Sequence, residues 1–306
     1  MSALRDGRRA TSSGTIAIVT DSTASLPAEV ARERCIRVVP LQVVIGAVSY
    51  DEALTPGADE DGSDGATPEL VARSLREWTP VSTSRPTPAA MLEAYRAAAA
   101  DGATAIVSVH LSAEISGTFE SAQLAARESP VPVVPVDSRQ VGMGTGFCVL
   151  AAADAVDGGA DAAEAARAAR TRAAATTSLF YVDTLEYLRR GGRMGAAAAL
   201  LGSALSVKPI LRLDDGKVGP YERVRTSGKA LARLEELAVE AAGSAQVDVA
   251  VAHLASPERA EQLAARLRER LADGLAERDI WLGEVGAVVG AHVGPGMVAV
   301  SVAVRD

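Results

Sequence analysis

Residues 104–136 read TAIVSVHLSAEISGTFESAQLAARESPVPVVPV, and this stretch decides the fold. Thr104–Val109 is a short β-branched run that reads as a strand. Ser116 opens a helix that continues through Ala126, and Val131–Val136 returns to strand. Strand alternating with helix at this spacing predicts a mostly parallel α/β sheet. Upstream, Ile16–Thr20 is a strand ending in Asp21-Ser22-Thr23, and a helix runs from Pro27 to about Arg34. Ile36–Val48 is extended, in two pieces bent near Pro40. Thr67-Pro68-Glu69 has the form of a helix start, with threonine as cap and proline in the first turn. A second helix covers Pro88 to Ala100.

After Thr176 the texture changes. Val207–Leu213 and Val218–Val224 flank Asp214-Asp215-Gly216, a strong hairpin signal. Leu179–Val182, Val247–His253, Ile280–Val285 and Met297–Val304 read as further strands, with helices over Ser227–Ala242 and Pro257–Leu271. The expectation is two α/β domains, one over 15–175 with a mostly parallel sheet flanked by helices, one over 176–306 with a mixed sheet. Residues 1–14 read as a disordered polar tail.

The bulk numbers narrow the function. Of 306 residues 48% are hydrophobic, enough for a large core, and only 3% are aromatic, which disfavours base or sugar stacking. A net charge of −8 argues against nucleic acid as a partner and against attraction to an anionic membrane. No run of about 18 apolar residues suggests a spanning helix. Cys35 and Cys148 sit among apolar neighbours and read as buried free thiols, which fits a reducing cytoplasm. Asp51 to Glu69 is acidic without a basic residue and reads as an exposed loop. It is no calcium loop: counted from Asp59, the required glycine falls on Asp64 and the glutamate on Leu70.

Parallel sheets bind ligands beyond the carboxyl ends of their strands. Here those ends carry Asp21-Ser22-Thr23, Ser112 through Ser116-Gly117-Thr118, and Asp137-Ser138. Ser116-Gly117 and Thr83-Ser84 each precede a helix, where hydroxyls and free amides can hold an anion; the same residues also serve as ordinary helix caps. His110 and His253 lie in strands and read as structural, whereas His292 lies in a glycine-rich tight turn and is a candidate functional group. Arg189-Arg190-Gly191-Gly192-Arg193 is either a solvated helix end or an anchoring loop for a partner, and Arg225 either reaches an anion or forms a surface ion pair. No paired His or Cys spacing suggests a metal. A dinucleotide turn at Gly142-Met143-Gly144 fails because its third glycine would be Phe147, and a nucleophile elbow at Ser116 fails on Glu114.

These motifs together resemble the DegV family. Ile16–Thr23 is similar to its opening strand, Thr83-Ser84-Arg85-Pro86-Thr87-Pro88 to its TSQPSP segment with arginine for glutamine, and Leu111–Phe119 to its SGTY stretch. Leu185–Arg193 and Lys208-Pro209-Ile210-Leu211 resemble its second-half signature, and His292-Val293-Gly294-Pro295-Gly296 its closing turn. The resemblance implies a long-chain fatty acid in a tunnel between two domains. It implies carboxylate ligands at Thr83, Ser84, Ser116 and Gly117, with Ser112 and His292 beside them. Arg193 and Arg225 would serve presentation to a separate DhaK/DhaL-like fatty acid kinase, which supplies ATP and makes acyl phosphate. The chain itself would be no enzyme, need no cofactor and act in the cytoplasm, with room for transient membrane contact during lipid exchange. The alternative is a hydrolase or phosphoryl-transfer enzyme using Ser116 and His292. Acyl length, oligomeric state and the kinase docking surface are not legible.

Overall fold

The computed structural model describes residues 14–54, 65–200 and 208–305. The expected tail thus lies outside the described residues except for Gly14, as does the 55–64 part of the acidic stretch. The strands are β1 (Ile16–Asp21), β2 (Arg37–Val39), β3 (Gln42–Ile45), β4 (Val48–Asp51), β5 (Val81–Ser84), β6 (Ala105–His110), β7 (Val133–Asp137), β8 (Thr176–Tyr181), β9 (Lys208–Asp214), β10 (Lys217–Val224), β11 (Val247–His253), β12 (Trp281–Glu284) and β13 (Val298–Val304). The helices are α1 (Ala28–Glu33), α2 (Pro68–Arg76), α3 (Pro88–Ala100), α4 (Thr118–Ala126), α5 (Met143–Asp157), α6 (Ala162–Ala174), α7 (Glu186–Arg190), α8 (Ser227–Ala242), α9 (Pro257–Arg270), α10 (Ala272–Leu275) and α11 (Ala287–Val293).

Four strands form a wholly parallel sheet in the order β2-β1-β6-β7. Both of its faces are covered, so its strands are apolar along most of their length rather than alternating, with polar residues at their carboxyl ends. Val107, Val109 and Val136 pack with Cys148, Ala165 and Ala169 of α5 and α6. Val19 and Ile106 pack with Met91, Tyr95 and Ala122 of α3 and α4 on the other side. The second sheet runs β10-β9-β8-β13-β11-β12 and is mixed, β11–β12 being its parallel pair. The β9–β10 turn has φ of 50° at Asp215 and 81° at Gly216, the left-handed pair that a two-residue hairpin demands.

Sequence reading missed a third unit, a small antiparallel sheet in the order β4-β3-β5. The two pieces expected on either side of Pro40 join different sheets, β2 the parallel sheet and β3 this small one. Its apolar side, Leu41 and Val43, packs on Val71 and Leu75 of α2 and on Ala287, Val288 and Ala291 of α11. A late helix therefore closes against early strands. Three further expectations are corrected. Cys148 is buried but Cys35 is exposed, in a left-handed turn (φ 51°) after α1 that carries its side chain outward. The helix expected to open at Ser116 starts at Thr118 behind Gly117. Glu52 and Ala66, at the two ends of the presumed exposed loop, are buried and bridged to each other.

Candidate functional site

The second sheet has one face on α8 and α9 and the other on a cavity. Along β11 and β13 the period of two is explicit: Val249, Val251, Val298, Val300 and Val302 join the core beneath the helices. Ala250, Ala252, Ala299 and Ser301 line the cavity instead. Small side chains on that face leave room that valines would fill. Opposite them stand Leu41, Leu111, Ile115 and Met143 from the first half of the chain, and Val288, Val289 and Val293 from α11. The cavity has a volume of about 360 Å³, the size of a small-molecule site.

Its rim is polar. Thr83 and Ser84 project from β5, an edge strand, and Ser116 and Gly117 precede α4. His292 comes from the last turn of α11 rather than from the tight turn expected of it, which lies just beyond, at Gly294–Gly296. His292 Nε2 and Thr83 Oγ1 are 2.8 Å apart, while the buried Nδ1 has no partner. Burial, reinforced by the positive Arg193, pushes the imidazole down to about 4, so the ring is neutral near pH 7. Ser116 Oγ lies 2.9 Å from Thr118 Oγ1 and accepts the Thr118 amide at 3.3 Å. Arg193 lines the cavity while donating to the carbonyls of Ile115 (3.2 Å) and Gly191 (2.6 Å). Arg85 also lines the rim, but its guanidinium lies over Gly117 and is paired with Glu120 at 2.7 Å.

Two of the expected residues stand apart. Ser112 is fully buried and gives its hydroxyl to the Gly216 carbonyl at 2.7 Å, so it clamps the β9–β10 turn and does not line the cavity. A Glu114–Lys217 pair at 3.3 Å and an Arg139–Asp215 pair hold the same turn. Arg225 is exposed between β10 and α8, away from the cavity lining. The polar strand ends do converge, yet largely on one another. Asp21 Oδ2 meets His110 Nδ1 at 2.9 Å and the Leu111 amide at 3.1 Å, and Asp137 accepts the Ala113 amide. Sequence reading missed the far end of the cavity, where Ser178 bonds Gln140 (2.8 Å) and Ser301 (3.0 Å). The signal was present as small or polar residues on one face, Ser178 in β8 and Ala299 and Ser301 in β13.

Chemically the site offers an apolar chamber with neutral donors and two arginines at its rim. An Asp21–His110–Ser108 chain of 2.9 and 2.7 Å bonds looks like a catalytic triad, but Ser108 is fully buried and takes a hydrogen bond from Tyr95. Among the described residues no cluster of His, Cys, Asp or Glu could hold a metal ion. No helix among them is long and apolar enough to cross a membrane.

Comparison with known proteins adds to this geometry. The family model described as "Uncharacterised protein, DegV family" matches residues 15–305. A DegV domain-containing protein of Streptomyces coelicolor is 54% identical over 290 residues, covering 95% of this chain and 99% of that one. Protein DegV of Bacillus subtilis is 34% identical, covering 93% and 98%. Among solved structures, a fatty-acid-binding DegV family protein from Thermus thermophilus superposes with a TM-score of 0.84 at 32% identity, covering 95% of this chain and all (100%) of that one. The crystal structure of DegV from Bacillus subtilis, a fatty acid binding protein, gives 0.84 at 30% identity with the same coverage.

Proposed function

The chain belongs to the DegV family, and from that premise we propose that it binds a long-chain fatty acid between an N-terminal (15–175) and a C-terminal (176–306) α/β domain. The observation that carries this reading is the pairing of an alanine-faced apolar chamber with a rim of hydroxyls. In this reading Thr83, Ser84, Ser116 and the Gly117 backbone hold the carboxylate. Neutral His292 completes the set, and Arg193 supplies positive potential. Burying a chain of about sixteen carbons gains on the order of 10 kcal/mol at ~0.8 kcal/mol per methylene, before the costs of association. The head group then contributes orientation more than affinity.

The chain presents this carboxylate to a separate ATP-dependent fatty acid kinase of the DhaK/DhaL kind. There a carboxylate oxygen attacks the γ-phosphorus, forming acyl phosphate and releasing ADP. Exposure of Ser84 and Arg85 at the rim supports this reading, since the attacking oxygen must be reachable from outside. Arg225, exposed after the hairpin that Ser112 clamps, is suited to meet the partner. The work is done in the cytoplasm, with transient membrane contact for lipid exchange, and the chain uses no nucleotide of its own. No observation favours a hydrolase, because the Ser116 hydroxyl engages Thr118 and not the imidazole of His292.

Native mass spectrometry of freshly purified protein, followed by identification of released lipid, tests the binding step. A mass excess equal to one long-chain fatty acid is expected. Protein that carries no acid and takes none up after delipidation overturns the proposal.

A further inference from the structure

Glu52, just beyond β4, is only 3% exposed. Its Oε1 accepts the amide of Val288, in the first turn of α11, at 2.8 Å across 236 residues of sequence. Gly286 comes so close that a β-carbon there would lie 2.3 Å from the same oxygen. Ser22, whose Oγ accepts the Leu41 amide at 2.9 Å, lies beside the same carboxyl group. Oε2 is buried and has no partner. Glu52 thus joins two parts of the cavity wall, Leu41 through its own amide (2.8 Å) and the helix that carries Val288, Val289 and His292 through its carboxyl group. Glutamine could bridge the same groups without titrating, so the choice of a buried acid has a consequence of its own.

We propose that Glu52 is a positioning residue for His292: its buried carboxyl group clamps α11, and opening of that clamp to water is coupled to ionisation of the carboxyl. Burial, against the opposing bonds from Ser22 and Val288, pushes the carboxyl from 4.5 up to about 7, with negative Asp21 adding to the rise. Opened to water, the group would ionise as an ordinary glutamate. Opening of α11 therefore becomes easier as pH rises from about 5 to 7 and levels off above that. Other titratable groups face the same region. Asp21 is bonded to His110, Glu284 stands two residues before Gly286 beside Glu69 and His253, and His292 rides on α11 next to Arg193. His292, depressed to about 4, gives the opposite trend if it is hydrated on opening, so the signal is the ratio of wild type to Glu52→Gln.

The test is amide hydrogen exchange of residues 288–293 in lipid-free protein from pH 5 to 8, corrected for intrinsic exchange. The wild-type to Glu52→Gln ratio is expected to rise by up to about tenfold per pH unit to pH 7 and then stay flat. A ratio that is constant, or rises towards acid, overturns the proposal. Should Glu52→Gln fail to fold, His292→Gln alone must show opening that rises with pH, and a flat profile is equally fatal. A second arm follows release of labelled palmitate and rests on the fatty-acid reading above. Palmitate release that tracks the exchange ratio supports the clamp; palmitate release indifferent to pH in both proteins counts against it. If no palmitate binds at all while the exchange ratio rises, the clamp stands and the binding reading fails.

Discussion

Thr83 Oγ1 and His292 Nε2 lie 2.8 Å apart although 209 residues separate them along the chain. The contact joins an edge strand of the small sheet to the end of α11 at the rim of the cavity. Thr83→Val keeps the shape and removes the hydroxyl. A lost hydrogen bond of about 0.5–1.5 kcal/mol predicts a two- to tenfold weaker fatty acid affinity, read by displacement of a fluorescent acyl probe. An unchanged affinity would remove Thr83 from the head-group set.

His292 sets a pH dependence of stability. Its folded state takes up a proton only near pH 4, whereas the unfolded chain does so near 6.5. The native protein therefore binds fewer protons across that window, and stability falls as pH drops from about 6.5 towards 4. The loss is at most about 3 kcal/mol, with solvent screening at the rim reducing it. Going from pH 7.5 to pH 5, the urea midpoint of wild type should fall relative to that of His292→Gln, since the opposing Glu52 contribution is common to both proteins. Equal differences would show that the ring titrates normally.

The alanines of the second sheet make the chamber. Ala299→Leu inserts about three carbon atoms where the acyl chain would lie. Displacing three methylenes at ~0.8 kcal/mol each weakens a long-chain acid by roughly 50-fold. The melting temperature should hold or rise, because the new side chain packs against the apolar wall of Val288, Val289 and Val293. Full affinity in calorimetric titration would place the ligand elsewhere.

Ser112 separates scaffold from site. Ser112→Ala leaves the Gly216 carbonyl without its buried donor and should cost about 1–3 kcal/mol of unfolding free energy. Lipid retention should change little, since the hydroxyl does not line the cavity. A large loss of lipid at unchanged stability reverses this assignment.

How much of this was legible in the sequence depended on range. The parallel sheet follows from β-branched runs alternating with helices, and the hairpin from Asp214-Asp215-Gly216, because both are local signals. Pro40 hinted at a bend but not that the two pieces join different sheets, since strand partners are chosen by tertiary packing. Ser84, Ser116 and His292, named from motifs, line the cavity and Ser112 does not: a hydroxyl at a strand end looks alike whether it faces a cavity or a neighbouring turn. Glu52 was hidden inside an acidic run that reads as solvated. Only contact with Val288, far along the chain, marks it as buried. The alternation of valine with alanine and serine in β11 and β13 was the unread signal for the cavity.

Both ends of the chamber carry polar groups, Thr83, Ser84, Ser116 and His292 at the rim and Ser178 and Ser301 at the far end. The orientation of a bound acid is therefore the sharpest question. Palmitate labelled with ¹³C at its carboxyl carbon answers it by NMR in wild type, Thr83→Val and Ser301→Ala. A single bound resonance that moves in Thr83→Val and stays in place in Ser301→Ala is the predicted result. A resonance that moves only in Ser301→Ala would put the head group at the wrong end and contradict the account.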